Sequence, residues 1–577
     1  MPPSKIQQTL ARNRLGVPAI LAIIIAAAAP MSVIFGGAAA AFATSELVAL
    51  PLACIAIAVL LACWAPGYLA MGRDIANAGS TYSYISRGLG RVPGAAGGGI
   101  ALVGYNMMQC AFYGGFGLAA SQLTSAVGVA TPWWAWAVPA WLVVGLLGLG
   151  KVDISSRVLM VLLAGEVGIV AIFTLVFLAE PGPAGVDATA LDPAQLGQAS
   201  TLVALGLAFA GFVGLESCSA FSEEARNYGA LSRAIVAAVV TVGVLYGIGT
   251  WALTVATGPG GIVAAANAEG TDLAFSLASQ RVAAGWVLLA RLLYATSMFA
   301  GLLAWHNVAN RYFFALGREG VLPGRLARTS RAGAPRAASL TQSTLAGLVL
   351  VVFLLLSADP MTHLWYWGST TGALGILTLL IGTAASVLAY FLRQPADRRP
   401  RVGTLVASAL AVLGLGTVLV ATLVQFHLLT GTTSHATWIL PSVLGVAALA
   451  AAGWALVLRA RRPWVWRRLG YGTSAALVDE DGQDPEHAPA QNRNTSPAAT
   501  HAASQLTGQP LAAALPPETI HELQQAVSTL RSRGVERHAA LDAIVRKGLA
   551  HPDAILAEAQ QQDTRQTTTS RRGQHAR

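Results

Sequence analysis

LAFAGFVGLESCSAFSEEARN, residues 207–227, lies in a chain of apolar runs long enough to cross a bilayer, yet it weakens its own helix. Gly211 and Gly214 fall where a span should be centred, and Glu216 follows at once. Glycine in a helix interior costs roughly 1 kcal/mol relative to alanine. A carboxylate at a helix centre costs about 2.5–3.5 kcal/mol on insertion scales. Both are tolerable where the segment faces protein or a water-filled cavity that can satisfy unwound backbone. The plain alternative is a glycine-packed helix contact beside a buried glutamate.

The rest of the chain fits a membrane setting. Of its 577 residues 54% are hydrophobic and 11% charged, with mean hydropathy +0.57. A soluble protein carries roughly 25% charged residues. The net charge of +10 does not point to nucleic acid, because the basic residues sit in short loops between apolar runs. Cys54, Cys63, Cys110 and Cys218 lie in or beside those runs and read as small packing residues, not a disulfide framework. The first run, preceded by Lys5, Arg12 and Arg14, extends too far for a cleaved signal and reads as a retained span.

Apolar runs of about 17–25 residues predict twelve spans, at 17–43, 47–71, 97–124, 134–150, 158–179, 199–222, 232–256, 285–312, 338–357, 363–390, 402–427 and 437–458. Basic residues collect in alternate loops: Arg73, Arg87 and Arg91; Arg226 and Arg233; Arg318, Arg325 and Arg328; Arg398, Arg399 and Arg401. The intervening loops hold Arg281 but also Glu46, Glu180, Asp187, Asp192, Glu269, Asp272 and Asp359. That asymmetry predicts a multi-pass protein with both termini cytoplasmic. The expected organisation is a cytoplasmic tail (1–16), a twelve-helix domain (17–460), a basic stop and disordered linker (461–516), a short helical segment (517–562) and a disordered tail (563–577). Ile520, Leu523, Val527 and Leu530 form one apolar stripe of that segment and Leu541, Ile544, Val545 and Leu549 a second, enough for a hairpin docking on the protein itself or on a cytoplasmic partner.

A second interruption lies five spans earlier. LAIIIAAAAPMSVIFGGAAAAFA carries Pro30 and Ser32 near its middle and Gly36-Gly37 soon after. Proline removes an intrahelical hydrogen bond and clashes with the preceding turn. Interruptions at corresponding places in two halves point to the central site of a secondary transporter. If the halves are inverted repeats of five, spans one to five and six to ten form the core. An unwound segment offers N–H groups to a carboxylate, and carbonyls, with Glu216, to an ammonium group. An α-amino acid fits that combination.

Three motifs then resemble the amino acid/polyamine/organocation (APC) superfamily permeases. They are GYLAMGRDIANAGSTYSYISRGLGR (67–91), GFVGLESCSAFSEEARN (211–227) and NRYFFALGREGVLPGRLAR (310–328). The resemblance spans roughly residues 15–460 and implies an all-α integral membrane protein with a five-plus-five inverted repeat, discontinuous helices 1 and 6, and alternating access. It implies a cavity lined by spans one, three, six, eight and ten. Its candidates are Ala29, Pro30, Met31, Ser32 and Val33 in span one, and Phe209, Gly211, Phe212 and Gly214 in span six, with Glu216 gating or coupling. Relatives that exchange cationic amino acids have a tryptophan where this chain has Ala210. Trp305, 13 residues before Arg318, matches the spacing of a cavity tryptophan in some relatives.

Asn106, Gln109 and Tyr113 share one helical face of span three and either line the cavity or hydrogen-bond between helices. Span ten adds Trp367, Ser369, Thr370 and Thr371. Sodium-coupled relatives place hydroxyls where this chain has Ala300 and Gly301, with Thr296 and Ser297 a turn earlier. Proton-driven relatives often carry a lysine in span five; this chain offers Glu166 as the second coupling candidate. The expected function is transport of neutral amino acids across the plasma membrane, coupled to protons or by exchange. The alternatives are an amine, polyamine or cationic amino acid transporter, and a nutrient sensor signalling through 517–562. No metal-ligand cluster, phosphate loop or nucleophile–base set is visible, so neither an enzyme nor a cofactor is expected.

Overall fold

The computed structural model describes residue 10 and residues 14–75, 77–150, 152–330, 333–430 and 435–472. The chain divides into two units, Met1–Ala476 and Leu477–Arg577. The linker from 473 to 516, the segment 517–562 and the tail 563–577 lie outside the described residues, as does most of the 1–16 tail.

The described part is an all-helical membrane protein. Its spans are Val17–Ser45, Leu50–Asp74, Arg91–Ala126, Trp134–Leu149, Val152–Ala179, Thr201–Phe221, Tyr228–Thr257, Ala284–Glu319, Arg336–Leu355, Pro360–Leu392, Val402–Val424 and Ile439–Arg461. Ten contain stretches long and apolar enough to cross a bilayer. The other two are span three, 36 residues long but diluted by glycines, Asn106 and Gln109, and the 16-residue apolar span four.

Burial sets the two broken spans apart. The apolar windows of spans one and six are 72% and 78% buried, against 28% for spans five, nine and eleven and 11% for span twelve, many of whose leucines and valines point outward. Spans one to five and six to ten are the two sets of five. Five crossings separate their first members, so span six runs opposite to span one, and both are broken near the middle.

Small residues set the approach distances. A Cβ on Gly104 of span three would lie 3.6 Å from the Gly372 carbonyl of span ten, so these helices pack nearly backbone to backbone. Span three also packs along spans eight and twelve. Helix association in lipid depends on such packing, because lipid tails are as apolar as leucine.

Span twelve does not end in free chain. Past Arg461 come a short helix, Pro463–Arg468, and turns to Gly472 that pack back on the permease unit. The expected basic stop after residue 461 thus includes this helix and the turns that follow it.

Candidate functional site

Span one breaks where its sequence weakens it. The helix Val17–Ala28 ends because the residue before a proline is disfavoured in the α region, and Ala29 turns to φ 44, ψ 68. Pro30–Ser32 forms one turn, Val33–Gly37 a π-helical turn, and Ala38–Ser45 finishes the span. Ser32 Oγ donates to the Ala29 carbonyl at 2.7 Å. The new helix start exposes the Met31 N–H, which donates to Glu166 Oε1 at 2.7 Å. Ser297 Oγ, from span eight, donates to the same oxygen at 2.6 Å. Glu166 is 1% exposed, and its other oxygen has no hydrogen-bond partner.

Span six breaks at Val213 and Gly214. The helix Thr201–Phe212 stops, Gly214 takes φ 119, and a 3-10 helix, Leu215–Phe221, continues. Glycine is required there twice over: a Cβ would also come within 2.8 Å of Ala27 Cβ and 2.9 Å of the Ala28 nitrogen. The Gly214 N–H donates to Glu216 Oε2 at 2.8 Å, and Ser217 Oγ to the Gly214 carbonyl at 2.6 Å. Tyr68 Oη, from span two, donates to the Glu216 carbonyl at 3.0 Å. Glu216 Oε1 is buried without a hydrogen-bond partner.

The two breaks touch. A Cβ on Gly211 would meet Val33 Cγ1 at 2.9 Å. Tyr246 of span seven sets its hydroxyl 3.1 Å from the Ala28 carbonyl and 2.9 Å from that of Gly211, while its ring meets Phe212 edge-on at 4.9 Å.

An aromatic wall from spans three, eight and ten stands beside them. Trp305, fully buried, stacks on Tyr105 at 5.7 Å and lies 6.5 Å from Phe112, which meets Trp365 at 5.4 Å. Tyr105 also packs on Tyr312 at 5.0 Å. The Tyr105 hydroxyl lies within electrostatic reach of Glu216. The Trp305 indole N–H is buried without a hydrogen-bond partner. Buried orphans of this kind are rare in folded proteins and call for an explanation.

Ala29, Pro30, Met31, Ser32, Val33, Gly211, Phe212, Gly214, Glu216 and Glu166 thus come together at the breaks, with Phe209 buried a turn earlier in span six and Trp305 in the wall. Asn106 and Gln109 do not join them by hydrogen bonds. Gln342 of span nine donates to Asn106 Oδ1 at 2.9 Å and to Gln109 Oε1. Gln109 Nε2 is 3.3 Å from His306 Nδ1, whose Nε2 is 2.8 Å from Ser339 Oγ. This is interhelical bonding, the second of the two readings of that face. The N–H groups expected to be free at the breaks are held by Glu166 and Glu216. Sequence reasoning missed Tyr105, Tyr246 and Tyr68; Tyr105/Phe112 and Trp305/Tyr312, each seven apart, are the signal that could have exposed the wall.

Toward the end of the bundle that carries Arg73, Arg226, Arg318 and Arg393, here the basic end, the three quoted motifs meet. Arg311 grips Glu224 at 2.6 and 3.0 Å with both side chains buried, and stacks over Phe221 at 4.2 Å. Arg318 grips Glu223 at 2.6 and 2.8 Å and donates to Asn77 at 3.1 Å. Removing one member of a buried pair strands a charge, at about 3–5 kcal/mol. The chain before span one is tied in: the Arg14 and Leu15 N–H groups donate to the Glu224 carbonyl at 2.9 and 3.0 Å.

A membrane-spanning bundle with two broken helices meeting at its centre is a secondary transporter. Residues 15–449 match the amino acid permease family, and the chain belongs to it. No curated protein matches the chain significantly. Among solved structures, a manganese transporter of Eremococcus coleocola, in complex with an aromatic bis-isothiourea substituted compound, is similar at 14% identity and TM-score 0.48, over 81% of this chain and 99% of that one.

Proposed function

We propose that this permease carries a neutral α-amino acid across the plasma membrane by alternating access, with both termini cytoplasmic and Glu216 as the proton-linked gate. The observation that carries this reading is Glu216 itself. One oxygen holds the Gly214 N–H, the other is buried, and the Tyr105 hydroxyl interacts with the carboxylate. Protonation neutralises the Glu216 carboxyl and loosens it from Gly214, yielding that N–H to the substrate carboxylate while the carbonyls of the broken segments take the ammonium, so a proton and a substrate move together. Ala29 to Val33 complete the cradle with Gly211 and Phe212, and Phe209 and Trp305 shape the side-chain space. Glu166 holds span one in register and serves as the second proton-linked group.

One observation favours a second reading. Both break N–H groups identified here, on Met31 and Gly214, already hold protein carboxylates, which suits an amine with no carboxylate of its own. Uptake into proteoliposomes of labelled amino acids and of their decarboxylated amines decides between the two. Each is run with an inward proton gradient, with a sodium gradient, and with preloaded substrate alone. Gradient-dependent amino acid uptake that fails in Glu216→Gln is the expected result. Uptake of the amines alone makes the second reading correct, and uptake only into preloaded vesicles makes the protein an exchanger.

A further inference from the structure

Glu319 sits at the basic end of span eight, 1% exposed, next to Arg318. The Arg318 guanidinium goes to Glu223 and Asn77, so the Glu319 carboxylate depends on hydrogen-bond donors. There are four. Asn77 Nδ2 donates at 2.9 Å to Oε1, and Tyr82 Oη donates to Oε2. The other two are backbone: Gly470 N–H to Oε2 and Gly472 N–H to Oε1, each at 2.9 Å. They arrive from the far side of span twelve, about 150 residues along the chain.

The stretch is built for this approach. Gly470 and Gly472 take φ 82 and 55, and a Cβ on either would come within 2.5 Å of Ser86 Cβ or 2.4 Å of Asn77 Cγ. Leu469 and Val465 are buried. Arg87 stacks over the Tyr471 ring at 4.2 Å, and Arg91 Nη2 donates to the Arg467 carbonyl at 3.3 Å. So residues 463–472 clasp the helix Ser80–Gly88, the turn at Asn77 and the end of span eight. Those parts also hold Glu223, at the exit of span six, through Ala78 N–H at 2.8 Å and Arg318.

We propose that residues 469–472 are a strap that keeps the basic mouth of the permease shut, with Glu319 the group it grips. The inward half of span six cannot swing away while Glu223 stays with Arg318 and Asn77, and the strap immobilises both through Glu319. Releasing it leaves a buried carboxylate short of two donors and loosens the turn at Asn77. The strap is also the last stretch before residues 473–577, so a pull on that segment acts first on the mouth.

Cys218 supplies a reporter that needs no substrate. It is a free thiol, fully buried on the half of span six nearer the basic end. In full-length protein with Cys54, Cys63 and Cys110 changed to Ala, a charged methanethiosulfonate is added on the basic side of proteoliposomes and the Cys218 modification rate is read. The double variant Gly470→Ala/Gly472→Ala is expected to raise that rate about tenfold, on the scale of one lost charged hydrogen bond. Hydrogen exchange is expected to show the amides of residues 470 and 472 protected in the parent and unprotected in the variant. Glu319→Gln, which also touches Tyr82 and Asn77, should accelerate modification too. Unprotected amides in the parent overturn the proposal, and so does a strap variant whose amides are freed while the Cys218 rate stays unchanged. Neither result bears on which substrate is carried.

Discussion

Spans one and six break for the same purpose by different means. In span six the strained position is Gly214, and the carboxylate that caps the exposed N–H comes from Glu216, two residues on. In span one the strained position is Ala29, and the cap is Glu166, 135 residues away in span five. One break is closed by its own segment. The other is closed by tertiary structure, with Ser297 of span eight holding the same carboxylate oxygen. A locally closed break can keep its shape as its helix moves. A remotely closed one reports whether spans one, five and eight are together. We infer that span one is where contact with the scaffold is felt, while span six keeps its own shape.

The sharpest way to break that contrast is Gly214→Ala. Positive φ and a Cβ inside 3 Å of Ala27 and Ala28 should together cost about 3 kcal/mol or more. We expect a large drop in the melting temperature of the detergent-purified protein. A melting temperature equal to that of the parent would mean the break is soft, and the local account fails. Next is Glu166→Ala, which strands the Met31 N–H in a buried site, worth about 1–3 kcal/mol. Transport in proteoliposomes should fall roughly 10- to 100-fold, with Ser297→Ala giving a smaller fall in the same direction. If Ser297→Ala were as damaging as Glu166→Ala, the hydroxyl and not the carboxylate would be the anchor.

Tyr246→Phe keeps the ring against Phe212 and removes only the hydroxyl. A slowing of turnover by about tenfold or less is expected, on the scale of one hydrogen bond. The smallest effect belongs to Ala29→Gly. Relief of left-handed strain, about 1–2 kcal/mol, is set against the greater freedom of glycine in the unfolded chain, about 0.4–1 kcal/mol. Stability should change by roughly 1 kcal/mol or less, the reverse of what the opposite exchange does at Gly214. A large loss in Ala29→Gly would show that the Ala29 methyl packs as part of the site.

The two breaks also mark what sequence can reveal. Pro30, Gly214 and Glu216 each disturb a helix by rules that act within a few residues, and the breaks fall beside them, while Gly211 stays inside the helix Thr201–Phe212. Both helices and their order are legible for that reason. The partners are not. Nothing near Met31 names Glu166, and nothing near Ala28 names Tyr246, because long-range pairs depend on how helices rotate and cross. Span three shows the limit well. Asn106 and Gln109 share a face, as their spacing says, but helical period leaves rotation about the axis undetermined. That face meets Gln342 of span nine, while Tyr105, one residue away and about 100° around the helix, meets Trp305. The role of the stretch after the twelfth span is hidden for a related reason. Gly470 and Gly472 serve a carboxylate that no local pattern announces.

A tyrosine hydroxyl carries a single hydrogen, and Tyr246 has two carbonyls in reach, Ala28 in span one and Gly211 in span six. It can satisfy only one at a time, so the other relies on a weaker share of the same dipole. When the two broken helices move apart, the hydroxyl turns fully toward whichever stays. Their separation then costs less than a whole hydrogen bond, and the bond that remains is better aligned than before. The protein has divided one donor between two moving parts, which is a way to hold them together without making it hard to part them.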